Sequence, residues 1–368
     1  MPQLSDNDPL YLQIRDMFKR KIGSGELKPG DRLETESELV QRLNVSRITV
    51  KNALKLLVEE GLVYRIAGKG TFVADPDAPK QQPAKAGEPP SVTKIGFLAP
   101  RIYDLFSIEL LKGVEMACQK NRMLLTLRFA STQEEEEEGI RMMREAEVDG
   151  MIIFPVDGEA YSEAILSLKT EGFPFVLIDR YLPGIKTNAV TSDNYQGGYL
   201  GTQHLIDRGH REIGILSGTK SRTSSTEDRF QGYVDMAKKA GLRIEPSQWL
   251  TQTDERSDYN ANATRELIRG WLLDHPGMTA VFALSSQMAI YVAETAERLG
   301  RRVPDELAIL SFDSPHIRDL QGYVFSHVKQ QDFRMGEEAI ELLKQAFGNT
   351  ALYRQVVIPV GLVEGRTT

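Results

Sequence analysis

Basic and polar residues recur near the N-terminus at a spacing that suits a helix lying on nucleic acid. Arg47, Lys51 and Lys55 follow one another four residues apart, so a helix places all three on one face. Thr49 and Asn52 are interleaved with them. The opposite face takes the apolar residues Val50, Ala53, Leu54, Leu57 and Val58. Arginine and asparagine can bond base edges and lysine can hold phosphates, which predicts a DNA-reading helix; a plain solvated face is the alternative.

The elements around this helix have the order of a winged helix-turn-helix. Asp8-Pro9 predicts the start of a first helix, with Leu10, Ile14, Phe18 and Ile22 along one apolar stripe. Thr35 and Glu38 fit a capping box for a short second helix that Asn44 ends. Ser46 then opens the third helix, and the alternating residues 62–66 and 71–73 predict a β-hairpin around a glycine turn that carries Lys69.

The first 73 residues resemble the DNA-binding head of the GntR regulators. The resemblance rests on PLY, the PGDRL turn, SELVQRLNVSR, LVEEGLV and GKGTFV, which occur in this order. It implies that the start of the third helix and the wing tip contact the operator. Carried over, these positions are Ser46, Arg47, Thr49, Lys51, Gly68 and Lys69. Arg32 is implied as a phosphate ligand, and Ser37 takes a second-helix position where many members have arginine.

Charge and composition divide the chain into a head, a linker and a larger domain. The net charge is −7, but residues 1–75 hold 12 Lys or Arg against 11 Asp or Glu, so the acidity lies in the remainder. Residues 75–92 contain five prolines and almost no large apolar residue, which predicts a semi-extended linker. We therefore expect a DNA-binding domain at 1–74 and an effector-binding and dimerisation domain at 93–368.

The larger domain alternates short apolar runs with helical patterns. The strand candidates are 95–98, 124–129, 151–154, 175–178, 213–216, 281–284 and 308–311. Strands that alternate with helices predict an α/β fold with parallel sheets. Ligands of such sheets bind at the carboxyl ends of the strands.

Polar and aromatic residues follow several of these strands. They are Arg101, Tyr103, Asp104 and Phe106 after the first, and then Asp179, Arg180, Ser285, Ser286, Gln287 and Asp313. Any one of them is equally consistent with a helix cap. Together they predict a cleft for a hydroxyl-rich small molecule.

Residues 93–368 resemble the two-lobed sugar-sensing core of the LacI regulators and the periplasmic sugar-binding proteins. The strings VLIDR, HLIDRGHREIGILSG, DRFQGY, VPDELAILSFDS and QQDFRMGEEA carry the resemblance. The effector contacts that it implies are Phe106, Asp179, Arg229, Ser285, Asp313 and Gln331. Many members have Asn-Asp where this chain has Ser285-Ser286, so the pocket chemistry differs.

Other candidates for chemistry have simpler explanations. Glu134–Glu138 is a run of five acids that we expect to form the solvated first turns of a helix. The single cysteine, Cys118, is expected in the core. The five histidines lack metal-ligand spacing, so we expect no metal and no cofactor.

A GntR-type head on a LacI-type core resembles the arabinose-utilisation repressors of Gram-positive bacteria. This resemblance implies a repressor of carbohydrate-utilisation genes that a sugar, with L-arabinose as the first candidate, releases from operator DNA. The single cysteine fits a reducing cytoplasm, and we expect a homodimer because helix-turn-helix proteins usually read two half-sites. A corepressor-dependent or activating regulator of a non-sugar metabolite is the alternative. A sugar enzyme and a transport-type binding protein are disfavoured, since the chain shows no catalytic motif, no signal peptide and no membrane segment.

Overall fold

The structure is a computed structural model of the 368-residue chain. It describes residues 10–43, 45–66, 70–75, 92–100, 104–156, 162–218, 223–251, 261–315, 324–348 and 353–368. The chain divides into two compact units, Met1–Val92 and Thr93–Thr368. None of the helices within these ranges is long and apolar enough to span a membrane.

The first unit is three helices and a two-stranded antiparallel sheet. Its elements are α1 (Leu10–Gly23), α2 (Glu36–Leu43), α3 (Arg47–Glu59), β1 (Val63–Ile66) and β2 (Gly70–Val73). The core gathers the predicted apolar faces, with Ile14, Phe18, Leu39, Val50 and Leu54 fully buried. This is the predicted winged helix-turn-helix.

Local capping sets the helix bounds of this unit. The Thr35 amide donates to Glu38 Oε2 at 2.7 Å, and the Glu38 amide donates back to Thr35 Oγ1 at 3.3 Å. Ser46 caps α3 by accepting from the Thr49 amide. One predicted core position is wrong: Val58 is 38% exposed, because it follows Leu57 in the last turn of α3 and only Leu57 turns into the core. Leu10, at the first position of α1, is likewise exposed.

The second unit contains two lobes, each built on a six-stranded sheet. The first sheet is parallel throughout, in the order β13-β7-β6-β5-β3-β4. Its strands are β3 (Lys94–Ala99), β4 (Leu124–Phe129), β5 (Gly150–Ile153), β6 (Phe175–Ile178), β7 (Ala189–Ser192) and β13 (Gln355–Ile358). Helices cover both faces: α4 (Leu105–Lys120), α5 (Gln133–Glu145), α6 (Glu163–Thr170) and α11 (Asp332–Gly348).

The second lobe repeats this plan in the order β14-β12-β11-β10-β8-β9, with β14 antiparallel to β12. Its strands are β8 (Ile213–Leu216), β9 (Trp249–Leu250), β10 (Ala280–Ala283), β11 (Ala308–Phe312), β12 (Ser326–Lys329) and β14 (Gly361–Val363). Its helices are α7 (Asn194–Asp207), α8 (Ser224–Lys239), α9 (Ala261–Asp274) and α10 (Ser286–Arg298). The fold is therefore the two-lobed α/β architecture with parallel sheets that the sequence predicts.

The chain passes between the lobes three times. It crosses after β7, again between β12 and α11, and finally between β13 and β14. The crossings are tied to one another, since the Asp193 amide donates to the Ile358 carbonyl at 2.8 Å and Gln331 Nε2 donates to the Pro359 carbonyl at 2.7 Å. Bundled crossings of this kind can act as a hinge between the lobes.

The predicted solvated acidic run needs one correction. Thr132 caps α5 and the run forms its first turns, as expected. Glu136, however, is only 1% exposed, because the helix turns this one position towards the chain after β5, where the Val156 amide donates to its carboxylate. Cys118 is buried as predicted, and burial raises the pKa of its thiol to about 11.

Close helix pairs in both lobes depend on glycine. A Cβ atom at Gly198 of α7 would lie 1.9 Å from the Arg229 carbonyl oxygen of α8, and one at Gly113 of α4 would lie 2.0 Å from the Phe333 carbonyl of α11. Backbone cannot yield as a flexible side chain does. The two glycines therefore let the helices approach backbone to backbone, and on α8 this approach positions Arg229.

We predict that Gly198→Ala lowers the free energy of unfolding by about 2–3 kcal/mol, because α7 and α8 must separate to admit the methyl group. Gly270→Ala is the control. It lies within α9 with no atom within 4 Å of the added methyl, and it should stabilise by about 0.5–1 kcal/mol. Urea unfolding of the full-length protein measures both, and equal effects at the two sites would contradict this account.

Candidate effector site and nucleic-acid interface

Two aspartates stand at equivalent places in the two lobes. Asp179 directly follows β6 and Asp313 directly follows β11, and each of these strands is third from one edge of its sheet. Both residues have a left-handed backbone, with φ of 67° and 65°. Asp and Asn tolerate this conformation better than most residues, yet it still costs free energy. The strain turns a carboxylate towards the carboxyl end of each sheet, where ligands of parallel sheets bind.

Asp179 is buried with an incomplete set of hydrogen bonds. Its Oδ2 lies 3.5 Å from Arg180 Nε, whereas its Oδ1 accepts no hydrogen bond from the described residues. Burial raises the pKa of Asp179, opposed by Arg180 and Arg229 and reinforced by Asp104. A desolvated acceptor of this kind can accept a hydrogen bond from a hydroxyl of a bound ligand.

Asp313 is held by a residue that the sequence did not single out. Gln330 Nε2 donates to both of its carboxylate oxygens, at 3.0 and 2.9 Å. Burial raises the pKa of Asp313 to about 7, with Arg229 opposing the rise and Asp332 adding to it. Burial also raises the pKa of Asp332 to about 6, and Oδ1 of Asp332 is buried without a hydrogen bond from the described chain.

Arg229 of α8 is a buried cation at the carboxyl end of the second lobe's sheet. Its Nε donates to Asn194 Oδ1 at 2.8 Å, and its Nη1 donates to the Leu284 carbonyl at 2.9 Å. The guanidinium carbon lies 3.6 Å from the centroid of the Phe312 ring. Arg229 acts electrostatically on both Asp179 and Asp313, which stand at the ends of different sheets. The structure thus gathers three of the six predicted effector residues around one buried cation.

The lobes also contact each other beside this cluster. The Tyr181 amide donates to Ser224 Oγ at 3.0 Å, and the Tyr181 hydroxyl lies 3.3 Å from both carboxylate oxygens of Asp228. Tyr181 follows β6 of the first lobe, whereas Ser224 and Asp228 belong to α8 of the second. These contacts join the walls of the cleft on one side.

The other three predicted effector residues have different surroundings. Phe106 is partly buried, and its ring meets the Phe154 ring edge-on at 6.3 Å. Ser285 caps α10 by accepting from the Met288 amide at 3.4 Å, which is the alternative role that the sequence left open. Gln331 donates a hydrogen bond to the carbonyl of Pro359, which lies in the third crossing between the lobes. Whether these three contact an effector stays a prediction.

Sequence reasoning missed Gln330, Asp332 and Asn194. The first two lie in the QQDFRMG string beside the predicted Gln331, so the signal was present but was assigned to the neighbour. Asn194 follows β7, a strand that was not predicted. Arg101 and Tyr103 lie outside the described residues.

The predicted DNA-contacting positions are spread over α2, α3 and the adjoining turns. Lys51 and Arg32 are exposed. The Ser46 and Thr49 hydroxyls lie 2.7 Å apart, and Ser46 also caps α3. Ser37 and Arg47 occupy helical positions in α2 and α3, while Gly68 and Lys69 lie outside the described residues. The direct contacts to DNA therefore stay a prediction.

Two parts of the chain match known domain families. Residues 10–73 match the bacterial regulatory proteins of the gntR family, and residues 202–368 match the periplasmic binding protein-like domain. This pairing defines the class: a bacterial transcription regulator whose DNA-binding head precedes a ligand-binding core.

Relatives narrow the class to a family. The chain is 30% identical over 344 residues to the arabinose metabolism transcriptional repressor of Geobacillus stearothermophilus, covering 92% of this chain and 91% of that protein. It is 26% identical over 337 residues to the repressor of the same name from Halalkalibacterium halodurans, covering 90% and 88%. The chain belongs to the family of these arabinose metabolism transcriptional repressors, and it is a DNA-binding repressor rather than an enzyme.

The fold has solved counterparts. A transcriptional regulator CelR–cellobiose complex superposes with a TM-score of 0.67 at 21% identity, covering 88% of this chain and 92% of that one. This likeness supports the fold of the described residues.

We predict that Asp313→Asn stabilises the protein at pH 8. The pKa of Asp313 is about 7 in the folded state against 3.8 ordinarily, so the folded state binds more protons and the free energy of unfolding falls as pH rises from about 4 to 7. An amide removes this loss and can also donate to Gln330 Oε1, which lacks a partner among the described residues. Asparagine tolerates the left-handed backbone.

Urea unfolding at pH 5 and pH 8 measures the effect. The variant should gain about 1–2 kcal/mol over the wild type at pH 8, and less at pH 5. Asp274→Asn, at an exposed position that ends α9, is the control and should change stability little at either pH. A variant that is destabilised equally at both pH values would refute the raised pKa of Asp313.

Proposed function

We propose that this repressor acts in the cytoplasm on carbohydrate-utilisation genes, binds its operator as a homodimer, and is released when a small sugar enters the cleft between the lobes. The observation that carries the proposal is the pair of strained aspartates after β6 and β11, Asp179 buried and Asp313 partly buried, which both feel the charge of the buried Arg229. Carboxylates accept hydrogen bonds from sugar hydroxyls, and a guanidinium fork donates to two adjacent oxygens. L-Arabinose is the first candidate, because the two relatives are named arabinose metabolism repressors.

In this proposal the effector residues are Phe106, Asp179, Arg229, Ser285, Asp313 and Gln331, with Gln330 and Asp332 added from their contacts. Asp179 comes from the first lobe and Asp313 and Arg229 from the second, so a bound sugar stabilises one relative position of the lobes. The three crossings allow that position to change. A homodimer converts such a change into a new spacing of the two heads, which then no longer matches two operator half-sites.

The first experiment follows operator binding by fluorescence anisotropy in the presence of pentoses, hexoses, sugar phosphates and purines. Release by a free sugar supports the proposal. The same sugar must bind more weakly when operator is present, because coupling between two sites is reciprocal. Equal sugar affinity with and without operator would reject the release mechanism, and tighter operator binding with any ligand would favour a corepressor.

We predict that Arg229→Lys lowers the affinity for the released sugar by roughly 10–100-fold, since an ammonium cannot reproduce the bidentate fork. Operator binding without sugar should stay within about twofold of wild type. The variant would then repress in the presence of sugar. Arg243→Lys, at a side chain that is 87% exposed in the same lobe, is the matched control and should bind sugar normally. Isothermal titration measures both, and wild-type affinity in Arg229→Lys would remove Arg229 from the site.

We predict that Lys51→Gln weakens operator binding and lowers the slope of log K against log salt by about one, as expected for one lost phosphate contact. Lys21→Gln is the control, because Lys21 lies on α1 and pairs with Glu26 at 2.6 Å. Anisotropy titrations at several salt concentrations give the slopes. If both variants give the wild-type slope, the exposed face of α3 does not lie on the phosphates.

A further inference from the structure

One peptide group beside β5 is held at both ends by charged side chains. Arg180 Nη1 donates to the Pro155 carbonyl at 2.8 Å, and the Val156 amide donates to Glu136 Oε2 at 2.9 Å. The carbonyl and the amide belong to the same peptide bond. Its negative end therefore faces a guanidinium and its positive end faces a carboxylate, so the two charges polarise it in the same direction.

Glu136 is an unusual member of the acidic run that contains it. Its neighbour Glu137 is exposed, whereas Glu136 is almost completely buried. Burial raises the pKa of Glu136, against hydrogen bonds from Val156 and Ser162 and the attraction of Arg180. A buried carboxylate costs free energy unless it is well bonded, so a stabilising role alone is weak grounds for placing one here.

Arg180 connects this peptide to the effector cleft. Its Nε lies 3.5 Å from Asp179 Oδ2, and its guanidinium carbon lies 5.0 Å from the centroid of the Phe154 ring. The Phe154 ring in turn meets Phe106. Arg180 thus contacts one proposed effector residue directly and a second through an aromatic neighbour.

We propose that Glu136 is a positioning residue for effector binding, acting through the Pro155–Val156 peptide to hold Arg180 at a distance that leaves Asp179 Oδ1 open to a ligand hydroxyl. The proposal rests on the proposed effector function of the cleft. When Glu136 loses its charge, the peptide is less polarised and grips Arg180 less firmly. Arg180 then moves onto the Asp179 carboxylate and competes with the ligand for it.

The test compares Glu136→Gln, Arg180→Gln and the double variant in the full-length protein. Glutamine keeps an acceptor for the Val156 amide, removes the charge, and replaces the other carboxylate oxygen with an NH2 group of similar size. We expect Glu136→Gln to lower the affinity for L-arabinose, or for whichever sugar of the panel binds the wild type most tightly, by roughly 5–10-fold. Glu137→Gln is the matched control on the same helix and should stay within twofold.

The double variant separates positioning from a purely structural role. If Glu136 acts through Arg180, its substitution costs no further affinity once Arg180 is glutamine. Additive losses, or wild-type affinity in Glu136→Gln, would overturn the proposal. A variant with lower thermal stability but wild-type sugar affinity would show that Glu136 only holds the chain in place.

A measurement without ligand keeps this test apart from that of the effector function. If no sugar of the panel binds the wild type, the effector proposal fails. Hydrogen exchange at the Val156 amide then tests whether Glu136 and Arg180 are coupled through the Pro155–Val156 peptide. Exchange should accelerate in Glu136→Gln and also in Arg180→Gln, although arginine bonds only the other end of the peptide. Unchanged protection of the Val156 amide in Arg180→Gln would show that the two ends of the peptide are independent and would overturn the proposed coupling.

Discussion

The buried guanidinium of Arg229 is the interaction around which the larger unit is organised. Removing an arginine from water costs roughly several kcal/mol unless its donors are met. Here Asn194 and the Leu284 carbonyl each accept one of its hydrogen bonds and the Phe312 ring covers one face. These groups come from α7 and from the ends of β10 and β11, so the cation is fixed before any ligand arrives. Both aspartates then have a stationary positive charge to face.

Fixing that arginine constrains elements that never reach the cleft. Helix α8 must lie against α7 closely enough to bring Arg229 to Asn194, and Gly198 and Gly232 make that approach possible. The first lobe solves the same packing problem with Gly113 and Gly336 on α4 and α11. The shared device is consistent with two lobes built on one plan, in which the strand followed by the strained aspartate takes the same place in each sheet.

Sequence alone could predict what depends on local pattern. The capping box at Thr35 and Glu38, the start of α3 at Ser46 and most central strands follow from residue types and periods that act over a few positions. It could not predict β7, β9, β12, β13 and β14, because these short strands have no strong alternation. Nor could it predict that Glu136 is buried in its acidic run, or that Gln330 holds Asp313. Those outcomes depend on which face a helix turns and on a partner more than ten residues away.

In the proposed mechanism, the unmet acceptors of the cleft supply part of the free energy that regulation needs. An effector shifts a conformational equilibrium only by as much as its affinity differs between the two states. A hundredfold loss of operator affinity requires about 2.7 kcal/mol of coupling. Asp179 Oδ1 and Asp332 Oδ1 are each buried without a hydrogen bond from the described chain, and satisfying one such acceptor is worth about 1–3 kcal/mol. Both oxygens lie in the first lobe, whereas Arg229 and Asp313 lie in the second, so one ligand can contact all of these groups only at a particular closure of the lobes. The free energy gained when a ligand bonds these two oxygens is therefore comparable to the coupling free energy that release from operator DNA would require.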